Sequence, residues 1–149
     1  MGFAGGFHPE MTGAENVRFV ARLYGVDAEA LLIFVASFAE IGEHFHKPVR
    51  TYSSGMRARV AFGLSMGLPF DLYLVDEITA VGDAAFRAAS DTLLRARLNT
   101  AGAIVVSHSL RQLAGLCQSG MVLEAGRLTW HDDIMDAIAH HRDIMGVAA

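Results

Sequence analysis

The chain holds one cysteine, Cys117, one lysine, Lys47, and two glutamines, Gln112 and Gln118. A single cysteine excludes an internal disulfide framework and suits a reducing compartment. Charge is also scarce: 19% of the 149 residues are charged, against about 25% in an average soluble domain. The net charge of −4 is not the basic footprint of a nucleic-acid binder, so no nucleic-acid partner is expected. Long hydrophobic runs are missing as well. A membrane span needs roughly 18 or more apolar residues, and the most apolar stretch, residues 60–68, is interrupted by Gly63, Ser65 and Gly67. The opening Met1-Gly2-Phe3-Ala4-Gly5-Gly6 shows neither the basic-then-apolar order of a secretory leader nor the hydroxyl residue of a myristoylation signal. The expectation is a cytosolic chain that reaches a membrane only through another subunit.

What the chain does have is apolar bulk. Hydrophobic residues make up 52% of it, and its length fits one domain. Much of it must be buried or meet a partner.

After a glycine-rich start, Thr12 and Glu15 stand in capping-box spacing, predicting a helix to about Tyr24 that stops at Gly25. Asp27 is a candidate cap for a second helix over 28–41, residues 43–52 read as a polar loop, and a third helix is expected over 55–66. The pattern then changes. Leu72-Tyr73-Leu74-Val75 and Ala103-Ile104-Val105-Val106 are short continuous apolar runs, the pattern of strands buried on both faces of a parallel sheet. Helices are predicted over 84–98, capped by Asp83, and over 110–117. A hairpin turns at Ala125-Gly126, and a final amphipathic helix covers 133–145. The order, helices first and then strand–helix–strand–helix, is that of an α/β unit.

In such sheets chemistry sits beyond the carboxyl ends of the strands. One predicted strand ends in Asp76-Glu77 and the other in Ser107-His108. Adjacent carboxylates at a buried strand end are costly unless a cation or hydrogen bonds stabilise them. Magnesium, which prefers carboxylate and phosphate oxygens, fits that need at Asp76, with Glu77 orienting or deprotonating a water aimed at a phosphate. An acidic strand end that simply meets solvent reads the same way, as does a structural histidine at 108. Tyr52-Ser53-Ser54-Gly55-Met56-Arg57 is a small-residue turn before a helix, where free amides and the positive end of the dipole favour phosphate, with Arg57 and Arg59 adding charge. An ordinary serine-capped helix is the plainer alternative. His44, His46, His140 and His141 read as solvated surface, and Cys117 as buried rather than reactive.

In order along the chain, Tyr52-Ser53-Ser54-Gly55-Met56, Leu72-Tyr73-Leu74-Val75-Asp76-Glu77, Ala80-Val81-Gly82-Asp83 and Val106-Ser107-His108 resemble the motif series of ATP-binding-cassette (ABC) ATPases: signature motif, Walker B strand with its glutamate, D-loop and switch histidine. Gly6-Phe7-His8-Pro9-Glu10-Met11-Thr12-Gly13 and the stretch from Asp76 to Asp83 further resemble the ATPase subunits of capsular-polysaccharide and O-antigen exporters. Those subunits sit on the cytoplasmic face of the inner membrane with a separate membrane-spanning permease. The resemblance implies an incomplete P-loop NTPase fold, with residues 12–50 as the helical subdomain and 51–149 carrying the motifs and a C-terminal hairpin and helix. It implies ATP and Mg2+ as cofactors and a head-to-tail dimer with a second ABC ATPase subunit. Ser53, Ser54 and Gly55 would then meet the γ-phosphate of ATP held by that subunit. Asp76 would hold magnesium through water, Glu77 would be the general base, His108 would sense the γ-phosphate, and Asp83 would act across the dimer interface.

The departures are equally specific. No G-x-x-x-x-G-K-[S/T] phosphate loop occurs around Lys47, the sole lysine, and no glutamine stands near Phe3, where the family carries one. The chain alone is therefore expected to bind ATP poorly and not to hydrolyse it. A non-catalytic remnant or regulatory partner of a complete ATPase is the alternative. Half of a split ATPase head is a third, though it would bring a heptad segment and a basic surface.

Overall fold

In a computed structural model, residues 6–76 and 83–146 are described. They form α1 (Gly13–Tyr24), α2 (Ala28–Ala39), α3 (Ser54–Gly67), β1 (Leu72–Asp76), α4 (Ala84–Leu98), β2 (Gly102–Val106), α5 (Leu110–Leu116), β3 (Gly120–Glu124), β4 (Arg127–His131) and α6 (Ile134–Met145). The chain divides into two compact units. One runs through Leu74 and takes in α4 up to Ala103; the other holds the end of β1 and everything from Ile104 onward.

The first unit is built on local signals that agree with its packing. Thr12 and Glu15 close a full capping box on α1, and Gly25 ends it with φ 68°. The positive φ costs glycine nothing, having no Cβ to clash. Asp27 accepts from the backbone N–H groups of Glu29 and Ala30 to start α2. The segment read as a polar loop instead contains two 3-10 turns, Gly42–His46 and Val49–Thr51. Phe45 and Val49 are buried within them, so burying apolar side chains, not loop polarity, orders this connection. Val17, Ala21, Val35, Ala39, Val60, Leu64 and Leu68 make one core with them. Each fully buried aliphatic side chain contributes about 1.5–3 kcal/mol in transfer terms.

Tyr52 ties the start of α1 to the approach of α3. Its hydroxyl accepts from the buried Gly13 N–H at 3.1 Å, satisfying one of the first-turn donors that a helix leaves without an internal partner. Burial pushes the Tyr52 phenol up, opposed by that hydrogen bond. A Cβ at Gly13 would run into the Tyr52 hydroxyl and lie 3.1 Å from the Phe45 carbonyl oxygen, so this close approach requires glycine.

β1 and β2 are neighbours in a two-stranded sheet. Tyr73 and Val75 are buried, and the Tyr73 hydroxyl donates to the Leu68 carbonyl at 2.9 Å. The expectation of strands buried on both faces is corrected here. Leu72 and Leu74 are 54% and 64% exposed, and Ile104 and Val106 are also exposed. Side chains alternate across a strand, and among the described residues one face of β1 is open to solvent.

In the second unit β3 and β4 pair antiparallel from Gly120↔His131 to Glu124↔Arg127. The turn at Ala125-Gly126 has φ 46° and 79°, the left-handed pair that a tight hairpin needs. Val122, Ile134, Ala137 and Ile138 form its small core, with Leu113 and Cys117 packed against it. Cys117 is half-buried, and burial raises its thiol. Among the described residues no helix is long and apolar enough to cross a membrane.

Candidate functional site

The candidate residues fall in both units, and each half is described by itself. In the first, α3 begins at a turn whose serine is its own cap. The Ser53 hydroxyl accepts from the Met56 N–H at 3.1 Å, and the Arg57 N–H reaches the Ser53 carbonyl at 3.1 Å. Ser53 and Ser54 are exposed and Gly55 is half-buried. A Cβ at Gly55 would meet nothing closer than Ser53 Oγ at 3.8 Å. The turn thus offers amide donors and little side-chain bulk to an anion arriving from outside, while the buried Tyr52 anchors it from behind.

The two nearby arginines part company. Arg57 is exposed. Arg59, expected to add charge beside the turn, is engaged elsewhere. Its Nη2 is 2.9 Å from Asp83 Oδ2, and its Nη1 donates to the Ala39 carbonyl at 3.4 Å. Its guanidinium carbon lies 4.3 Å from the centroid of the Phe86 ring, a cation–π geometry. Asp83 caps α4, taking the Phe86 N–H on Oδ1 at 2.9 Å. That backbone bond, with the Arg59 charge behind it, holds the Asp83 carboxyl below its usual range. Nothing in the sequence pairs residues 59 and 83, which are 24 positions apart; only the packing of α3 on α4 does.

In the second unit Asp76 stands exposed at the end of β1. Glu77, and the D-loop residues Ala80, Val81 and Gly82, lie outside the described residues. His108 follows β2 in a short turn. There the Ser107 hydroxyl accepts from the Ser109 N–H at 3.1 Å and bonds the Gln112 side chain at 3.1 Å, while Ser109 caps α5. The His108 ring is exposed. His131 Nε2 and His140 Nδ1 are hydrogen-bonded at 2.9 Å. Among the described residues no three histidine, cysteine or acidic side chains gather around a metal position.

A magnesium ion fits Asp76 by the chemistry of its donors. The ion keeps several waters and takes one or two carboxylates plus substrate phosphates, so a single exposed carboxylate suffices on the protein side.

A solved ATP-binding subunit of an ABC transporter overlays 95% of this chain and 59% of its own length, with a TM-score of 0.75 and 21% identity. At that identity the likeness speaks of fold, and the fold class it defines is that of an ABC ATP-binding subunit. No family model matches the chain. Two sequences of the polysialic acid transport ATP-binding protein KpsT of Escherichia coli are 43% and 45% identical over 145 residues. That alignment takes in 95% of this chain and 65% and 66% of theirs. The capsule polysaccharide export ATP-binding protein CtrD of Neisseria meningitidis serogroup B is 38% identical over 144 residues, 97% of this chain and 67% of its own. The chain belongs to the family of capsule-polysaccharide and O-antigen export ABC ATP-binding proteins, and it matches their C-terminal part. It spans about two thirds of the length of these relatives.

Proposed function

We propose that this chain supplies one side of the ATP site of an ABC transporter that exports a capsular polysaccharide or O-antigen. The observation that carries the reading is the exposed, serine-capped turn at Ser53-Ser54-Gly55 in a chain 38–45% identical to capsule-export ATP-binding proteins. The free amides and dipole of α3 receive the γ-phosphate of ATP held by a second ABC ATPase subunit in a head-to-tail dimer. Glu77 takes the proton of the water whose oxygen attacks the γ-phosphorus, and ADP leaves. His108 contacts the γ-phosphate from the end of β2. Asp76 holds magnesium through water; when bound, that ion neutralises phosphate charge.

Residues 12–50 form the helical subdomain that meets the membrane-spanning permease. The protein sits peripherally on the cytoplasmic face of the inner membrane, and ATP hydrolysis there drives export. The test is made in the native gene. Ser53→Arg places bulk and charge where the phosphate docks, and Glu77→Gln removes the base. Each is expected to abolish surface polysaccharide while it accumulates inside the cell. Unchanged surface polysaccharide in both variants would sink the reading.

A further inference from the structure

The contacts of Arg59 have a role that the phosphate-docking turn alone does not require. Its stem and head are largely buried, with the side chain 17% exposed, although Asp83 is 66% exposed. An ion pair with one exposed partner is a weak source of stability. This one is reinforced on every side of the guanidinium: by the Asp83 carboxylate, the carbonyl at the end of α2 and the face of Phe86. Phe86 is itself packed in a ring cluster, 5.1 Å from Phe38 and 6.4 Å from Phe62. Arg59 lies on α3, the helix whose first turn carries Ser53 and Gly55. Asp83 lies at the head of α4, with both carboxylate oxygens taken by partners within its own chain.

We propose that Arg59 and Asp83 form a latch within one subunit that fixes the head of α4 to the signature helix, so that the Ser53 turn and the Asp83 segment move as one body. Arg59 is a positioning residue here, and Asp83 acts through it rather than directly across a dimer interface. The inference rests on the proposed ATPase role of the Ser53 turn. Misplacing a docking group by about 1 Å can cost on the order of a hundredfold in rate, so a latch matters even where it adds little stability.

The experiment is a double-mutant cycle on the assembled transporter. Arg59→Met keeps the apolar stem over Phe86 and removes the charge. Asp83→Ser keeps a good helix cap and removes the ion pair. Each single variant is expected to lower kcat by about tenfold with KM for ATP little changed, and the double variant by about tenfold as well, because the same coupling is lost once. Arg59→Lys, which keeps charge but not the planar fork, should fall in between, and it replaces Arg59→Met in the cycle if that variant melts early. A double variant slower by the product of the two single effects, about a hundredfold, would overturn the latch, as would single variants with unchanged kcat. Ser53→Arg is run alongside. If it leaves ATPase activity intact, the assignment of the turn has failed, which is a separate outcome from the cycle.

Discussion

Replacing Tyr52 with phenylalanine removes one oxygen and leaves the ring, so it opens no cavity. What it removes is the acceptor for the Gly13 N–H, at 3.1 Å in a buried setting. The other first-turn donors of α1 keep their partners, since Glu15 bonds the Thr12 hydroxyl and Asn16 the Thr12 carbonyl. The loss is therefore confined to one donor. A buried backbone donor left without a partner costs about 1–3 kcal/mol. In a chain of this length each kcal/mol moves Tm by about 2–4 °C. Urea unfolding should show a lower midpoint with an unchanged slope, and hydrogen exchange should rise first in α1.

The same geometry predicts a coupling. Gly13→Ala puts its methyl against the Tyr52 hydroxyl and close to Phe45, so it destabilises despite the better helix propensity of alanine, about 1 kcal/mol. In the double variant the hydroxyl is gone. Tyr52→Phe should then cost less in the alanine background than in the wild type, by more than about 0.5 kcal/mol. Equal stability of Tyr52→Phe and wild type, or strict additivity of the pair, would refute this account of the α1–Tyr52 junction.

Three further outcomes are expected. Because burial raises the Tyr52 phenol, its contribution is fully present below the unfolded tyrosine value of about 10 and is lost as pH rises through the higher folded value. Urea midpoints measured from about pH 9 upward should fall more steeply for wild type than for Tyr52→Phe, and parallel curves would contradict it. Leu64, fully buried in the first unit's core, should cost about 2–5 kcal/mol on truncation to alanine; a loss under about 1 kcal/mol in chemical denaturation would mean that the core collapses around the gap. The exposed Leu72 and Leu74 should make the purified chain self-associate. Leu74→Glu should reduce the oligomer fraction in analytical ultracentrifugation, and a monodisperse wild-type monomer would count against this.

Much of the first unit was legible because its local signals act over three or four residues. The Thr12–Glu15 capping box, the Asp27 cap and the left-handed Gly25 each place a helix end without any tertiary help. The Asp83 cap of α4 and the Ala125-Gly126 turn belong to the same class. The run 43–52 was misread because its polarity hides Phe45 and Val49, whose burial depends on what packs over them. The two strands were found from their apolar runs, yet the exposure of Leu72 and Leu74 could not be, because a run looks the same whether one face is covered or two.

The candidate site divides along the same line. The order of Ser53-Gly55, Asp76-Glu77, Asp83 and His108 was enough, by resemblance, to point to an ABC ATP-binding subunit before any coordinate was known. Such motifs are written in residue types at short spacing, and backbone amides, carboxylates and imidazole are chemically recognisable as text. The tertiary structure decided which partner each charge has. It turned Arg59 away from the phosphate-docking turn and onto Asp83 and Phe86, and it put the Tyr52 hydroxyl on Gly13. Those pairs are 24 and 39 residues apart, and they meet only because helices with no local signal for one another share a core.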